Sequence, residues 1–226
     1  MRLSAAIMAH PVRKAEAEAV QAALDRPVEI VYDPVPVPSA DPAQRWANGV
    51  RCWEAHDPAA DWHMVIQDDA LPCEDLIAGL EAALEVLGPE GLVCAYTGTP
   101  RPNQTHVRSA QRQAAAEGHS WMCTRSLCWG VAIIAPTKTI PDMLGWCSDK
   151  RRAHKTYDMR VGQYYRDVLG WRTWYPVPSL VDHRAGDSLV GHGAERQAFR
   201  MVDGSTLDVD WTRTPPGGLK VEHSGC

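Results

Sequence analysis

Residues 62–72 read WHMVIQDDALP, from Trp62 to Pro72. The apolar run Met64-Val65-Ile66 has the marks of a buried strand and stops abruptly at Gln67-Asp68-Asp69. Two adjacent carboxylates at the exit of a buried strand are electrostatically costly unless positive charge sits beside them. In open α/β sheets, ligands bind at the carboxyl ends of the strands. A divalent cation carrying a nucleotide diphosphate satisfies both conditions. The competing reading is a strand-end turn that caps the following helix.

Upstream of this stretch, LSAAIMA (3–9) reads as a first strand, and a helix follows from Pro11 to Leu24 with proline at an early position. PVEIVYD (27–33) is a second strand, and the proline-rich DPVPVPSADP is a loop. A helix is predicted from Pro42 to His56, with Trp46, Val50 and Trp53 on one face and Arg45, Gly49 and Cys52 on another. Downstream, helix 74–87 carries Leu76, Leu80, Ala83, Leu84 and Leu87 on one stripe and stops at Gly88-Pro89. LVCAYTG (92–98) is a strand, 107–117 a polar helix, and SWMCTRSLCWGVAIIAP a strand pair in which VAII (131–134) is the most buried segment. A short helix spans 139–148, KRRAHK (150–155) is a basic loop, and a helix covers 157–168. WRTWYPVPSLVDH is extended, and the last forty residues wrap irregularly over a site. Strands alternate with helices through the first hundred residues. The expected fold is therefore α/β: a single Rossmann-like domain over 1–200, with a mixed, mainly parallel sheet flanked by helices, then a tail at 201–226.

The chain has 226 residues and 45% hydrophobic content, enough for one sizeable core. No run of eighteen apolar residues offers a membrane span, and the first residues are too weakly apolar for a signal peptide. Seven cysteines, an odd number without a CxxC, argue against a disulfide framework or a structural zinc, and a cytoplasmic location is expected. The net charge of −5 conceals an asymmetry. Residues 1–99 hold 6 Lys/Arg against 16 Asp/Glu, whereas 100–200 hold 15 against 8. An acidic front and a basic middle suggest two tasks on one fold, although solvated faces also differ in charge.

Four segments, in order, carry a family likeness: WANGVRCW with MVIQDD, WGVAIIAPTKTIPDML, TYDMRVGQYY, and VPSLVDHRAGDSLVGH. They resemble the glycosyltransferase-A fold with its DxD-type metal motif. More narrowly, they resemble the family of lipooligosaccharide and collagen galactosyltransferases, together with small phage-encoded glycosyltransferases. The likeness covers about 45 to 200. It implies a nucleotide-sugar side in 1–99 and an acceptor side in 100–200. Gln67 departs from the family pattern, which has an acidic residue there. The chain is also short for an added acceptor domain.

The likeness implies a metal-dependent glycosyltransferase that uses a nucleotide-sugar donor, a UDP-sugar in first place, with Mn²⁺ or Mg²⁺. The metal stabilises the departing diphosphate as a Lewis acid and takes oxygen ligands, Mn²⁺ also imidazole. Asp69 is assigned as principal ligand, Asp68 as its neighbour or an orienting group, and His183 as a ligand returning from the C-terminal segment. If transfer inverts the anomeric centre, a base is needed. Asp158 is the candidate and Asp187 the reserve. His10, Arg13, Arg45, Gln67, Asp68, Gly130 and His192 are the donor-binding candidates. Arg13 and Arg45 are expected to reach donor phosphate or uracil, His192 phosphate, and Gly130 to let backbone approach a sugar. Surface arginines, a helix-start carboxylate and a packing glycine are the ordinary alternatives.

Lys150, Arg151, Arg152 and Lys155 lie in one loop, and Arg160, Arg166 and Arg172 alternate with aromatics through 172. Trp121, Trp129, Trp171 and Trp174 cluster in the second half with Tyr157, Tyr164, Tyr165 and Tyr175; most are expected in the core and two along an acceptor groove. The basic region 150–172 suits a polyanion, so a hydroxymethylated pyrimidine in phage DNA, flipped from the stack within the host cytoplasm, is the expected acceptor. A saccharide or lipooligosaccharide acceptor is the alternative. Outside this class stand a metal-dependent phosphoesterase or nuclease, and a non-catalytic nucleotide- or DNA-binding module.

Overall fold

The computed structural model describes residues 1–39, 41–98, 104–184, 197–199, 201–213 and 219–221. Its first half runs β1 (Leu3–Ala9), α1 (Lys14–Ala23), β2 (Glu29–Tyr32), α2 (Pro42–Glu54), β3 (Trp62–Gln67), β4 (Ala70–Pro72), α3 (Leu76–Leu87) and β5 (Leu92–Cys94). The second half runs α4 (Gln104–Glu117), β6 (Trp121–Thr124), β7 (Ala132–Pro136), α5 (Ile140–Cys147), α6 (Tyr157–Asp167), β8 (Thr173–Pro176), β9 (Val181–His183) and β10 (Leu219–Val221). An eight-stranded sheet has the order β10-β6-β8-β5-β7-β3-β1-β2, and β4 with β9 forms a separate two-stranded ribbon.

β1 pairs in parallel with both β2 and β3, as do β5 with β8 and β6 with β10, while β7 runs antiparallel between β3 and β5. The mixed, mainly parallel sheet flanked by helices is thus the one its sequence pattern predicts. The first five residues of β3 are buried, as in a strand covered on both faces. β2 lies on one side of β1 and β3 on the other. Right-handed crossovers then place α1 and α2 on opposite faces, which makes the carboxyl ends of β1 and β3 a topological switch point. Among the described residues no helix is long and apolar enough to cross a membrane.

Several details depart from the sequence reading. The two strands in 120–136 are not partners: β6 pairs with β8 and β10, and β7 sits in the middle of the sheet. Apolarity alone marks burial, not pairing. Helix α3 begins later than expected because Asp75 takes a left-handed φ of 55°. The free N–H groups of Ile77 and Ala78 are instead accepted by the Asp25 carboxylate at 2.8 and 3.0 Å. The α2 face carrying Gly49 and Cys52 is buried as well as the tryptophan face. A methyl at Gly49 would stand 2.6 Å from the Tyr157 ring, which explains the glycine. Residues 219–221, within the expected tail, supply the edge strand β10.

Candidate functional site

The site is built by β1 and β3 ending side by side. The Asp68 N–H donates to Met8 O at 3.1 Å, carrying the β1–β3 pairing one residue beyond β3. His10, just past β1, donates its backbone N–H to Asp68 Oδ2 at 2.8 Å. Arg13, at the end of a 3-10 turn over Pro11–Arg13, donates through Nη1 to Asp68 Oδ1 at 3.2 Å and also to Asp69 Oδ2. The acidic pair therefore has positive charge beside it, supplied by the chain itself.

His183 arrives by a different route. The ribbon pairs Ala70 with His183 and Leu71 with Asp182, and Arg184 N donates to Asp69 O at 2.8 Å. This register sets His183 Nε2 at 3.3 Å from Asp69 Oδ2. The two groups lie within ion-pair distance, and the other carboxylate oxygen, Asp69 Oδ1, is buried without a hydrogen-bond partner among the described residues. His183 Nδ1 lies 2.8 Å from Arg184 O and donates to it, since a carbonyl only accepts. That bond fixes the tautomer. Nε2 is thereby the ring nitrogen turned toward the Asp69 carboxylate, within ion-pair distance of it.

The charges follow from burial and neighbours. Burial is the main influence pushing the Asp68 carboxyl up, to about 6, with the Asp69 charge adding and the His10 N–H and Arg13 opposing. Burial also pushes Asp69 up, but His183 and Arg13 beside it outweigh this and hold it below the usual range. For Arg13, burial works against its charge, and Asp69 and Asp68 more than restore it.

These residues fit a hard divalent cation in part. Asp69 and His183 offer oxygen and imidazole nitrogen, the donor set that Mn²⁺ accepts. Asp68 is different: one oxygen is held by His10 and the other by Arg13, which makes it an orienting group. Among the described residues no three His, Cys, Asp or Glu side chains converge as a ready three-ligand centre.

A second cluster lies next to the first. A methyl at Gly130 would meet Asp158 Cβ at 3.2 Å, Gln67 Nε2 at 3.6 Å and the Tyr157 ring at 3.7 Å. The end of β3, the loop before β7 and the start of α6 thus converge on the gap left by Gly130. Asp158 Oδ1 accepts from Thr156 Oγ1 at 2.5 Å and from Met159 N at 3.0 Å, which fixes the carboxylate at the head of α6. An aromatic row flanks both clusters: Tyr96 lies 6.4 Å from the His183 ring and 5.9 Å from Trp129, which lies 5.6 Å from Tyr175.

Arg45 lies half-buried on α2, one turn before Asn48. Asn48 is a site residue that sequence reading missed. It is buried, donates through Nδ2 to Ala9 O at 3.2 Å, and its Oδ1 has no partner among the described residues. A polar residue between Trp46 and Trp53 on a buried helix is the signal that would have found it. Asp182 was also missed; its Oδ1 accepts from His183 N at 2.8 Å and Ala198 N at 2.5 Å, steadying the ribbon. Asp187 and His192 lie outside the described residues.

The basic region differs from expectation. Arg160 is buried, donating to Lys155 O at 3.0 Å and Ala153 O at 2.7 Å beneath Trp46. It pins the 150–155 loop and presents no charge to solvent. Asp149 pairs with both Arg151 and Arg152, and Arg152 lies 3.4 Å over Trp146. Arg166 pairs with Asp167. The reason is local: acidic residues next in sequence pair with part of the run. Of the second-half aromatics, Trp121, Tyr157, Tyr164, Tyr165 and Tyr175 are core, and Trp129, Trp171 and Trp174 are partly exposed.

No family model and no curated protein matches the chain. The crystal structure of mannose-1-phosphate geranyltransferase from Thermus thermophilus aligns over 78% of this chain and 74% of its own, at 12% identity and a TM-score of 0.39. At that level the likeness carries nothing about chemistry. What fold and site define is an α/β protein whose switch point carries an acidic pair, an arginine and a returning histidine.

Proposed function

We propose that the protein transfers a sugar from a nucleotide-sugar, a UDP-sugar in first place, to a hydroxyl acceptor, with Mn²⁺ or Mg²⁺ at Asp69 and His183. The observation that supports this reading is the meeting of His183 Nε2, oriented by the bond between its Nδ1 and Arg184 O, with Asp69 Oδ2 at 3.3 Å at the carboxyl end of β3. When bound, the metal supplies Lewis-acid stabilisation of the departing diphosphate. The chain does the remaining work. Asp68 holds the β1 and β3 ends together through His10. Gln67 and the backbone at Gly130, bare of a side chain, face the sugar, with Trp129 beside them. Asp158, anchored through Oδ1, takes the acceptor proton on its other oxygen if transfer inverts the anomeric centre.

For the acceptor, a saccharide hydroxyl stands ahead of a hydroxymethylated base in DNA. The burial of Arg160 and the pairing of Arg152 with Asp149 and of Arg166 with Asp167 support that order, because they reduce the charge a polyanion would meet.

The test is UDP release from a panel of UDP-sugars with Mn²⁺, in the presence of oligosaccharides or hydroxymethylcytosine-containing DNA. Asp69→Ala should abolish transfer and Mn²⁺-dependent UDP binding while the protein stays folded. Full activity in that variant overturns the metal assignment. Release of nucleotide from phosphodiesters without a donor sugar would instead mark a phosphoesterase. DNA binding without UDP binding would mark a binding module.

A further inference from the structure

We infer that a cleft at the amino end of β3 is a second binding site, one that takes an α-amino acid with an apolar side chain. It stands apart from the function proposed above. The whole of β3, roughly 20 Å of extended chain, separates it from Asp68 and Asp69.

The cleft has a volume of about 490 Å³, within the range of small-molecule pockets. Trp62 and Pro136, both buried, line it where they pair across β3 and β7. Met1 lines it too, held by the Trp62 indole N–H, which donates to Met1 Sδ at 3.1 Å. The exposed Pro58 and Pro89 complete the apolar part.

Four polar side chains share the lining, and they sort by chemistry. Two offer protons. Lys138 is exposed and has no ion pair among the described residues. Thr137 is buried, yet its Oγ1 has no hydrogen-bond partner among the described residues. A buried hydroxyl left in that state points to a further group that completes it. The other two accept. Asp61 carries a carboxylate, of which Oδ2 takes the Arg2 N–H at 2.8 Å. His56 Nδ1 lies 2.8 Å from Trp53 O and donates to it, so in the neutral ring Nε2 is an acceptor.

The charges decide the ligand class. Thr137 N donates to Asp61 O at 2.9 Å, which makes Asp61 and Lys138 close neighbours along the backbone. Their side chains nevertheless form no ion pair with each other. A carboxylate on Lys138 and Thr137, with an ammonium on Asp61 and His56, gives each group its opposite. An α-amino acid carries both charges on one carbon, and its side chain then meets Trp62 and the prolines. An organic anion without the ammonium would face Asp61 unrelieved, and an amine without the carboxylate would face Lys138.

The experiment titrates the full chain with L-phenylalanine by calorimetry, beside 3-phenylpropionate and 2-phenylethylamine, which lack the ammonium and the carboxylate respectively. L-Phenylalanine should bind at least about tenfold tighter than either, and Lys138→Gln and Asp61→Asn should each weaken it about tenfold, the loss of one hydrogen bond to a charged group. Asp61→Asn keeps an acceptor for the Arg2 N–H, and both positions are exposed. No binding of L-phenylalanine at millimolar concentration overturns the inference, as does equal affinity for the acid or the amine, or unchanged affinity in either variant. Should a variant fail to fold, amide shifts of the wild-type chain decide. They should move at Asp61, Trp62, Thr137 and Lys138 and stay fixed at Asp68 and Asp69; the reverse pattern overturns the inference.

Discussion

The strand that delivers the acidic pair is anchored at its other end by His63, and that anchor makes a quantitative prediction about pH. His63 is fully buried; its Nε2 donates to Cys52 O at 2.9 Å and its Nδ1 lies 2.8 Å from Ser4 Oγ. Burial is the main cause of a pKa lowered to about 4, with His56 adding and the Cys52 bond opposing. Above pH 6.5 the ring is neutral in both folded and unfolded chains. As pH falls from 6.5 toward 4, the unfolded chain gains a proton that the folded chain refuses, so stability is lost, and the loss is complete below about 4. Between pH 7 and 4.5 this amounts to roughly 2 kcal/mol, because each pH unit crossed between the two pKa values costs about 1.36 kcal/mol. Asp68, pushed up to about 6, acts in the opposite sense over the same interval. The quantity to read is therefore the difference between His63→Gln and wild type, in which Asp68 cancels. Urea unfolding at pH 4.5, 5.5 and 7.0, followed by tryptophan fluorescence, supplies it. The variant should be the less stable at pH 7 and should recover roughly 2 kcal/mol relative to wild type by pH 4.5. A difference that stays constant across this range refutes the buried, neutral His63.

Asp158→Asn should reduce the rate of transfer by about 10²-fold or more with little change in donor affinity, a loss characteristic of a missing general base; steady-state kinetics with varied UDP-sugar decide it. Gly130→Ala places a methyl 3.2 Å from Asp158 Cβ. It should raise the KM for the UDP-sugar several-fold while leaving UDP affinity unchanged in calorimetry. Gly49→Ala drives a methyl to 2.6 Å from the Tyr157 ring between α2 and α6. It should cost about 1–3 kcal/mol in urea unfolding, the usual penalty of overpacking.

Much of the fold is legible in local pattern. β3 reads as buried because Met64, Val65 and Ile66 follow one another, and α3 reads as a helix because its leucines share a stripe. Asp68 and Asp69 stand out because charge at the end of such a strand needs a partner. The nature of that partner is not local: Arg13 lies 55 positions from Asp68. The basic run misled for the same reason, since residue types record charge but not that Asp149 and Asp167 pair with part of it, nor that Arg160 turns inward.

By its own periodicity the chain determines which segments are strands and helices, which faces are apolar, and where charge meets the end of a buried strand. Those are properties of neighbours within a turn or two. Only the tertiary arrangement decides that β7 runs between β3 and β5, that β4 and β9 form the ribbon carrying His183 to Asp69, and that Gln67, Gly130 and Asp158 meet. Each depends on strand pairing and helix packing between residues far apart in the chain, where burial and hydrogen-bond register choose among arrangements that local pattern leaves equivalent.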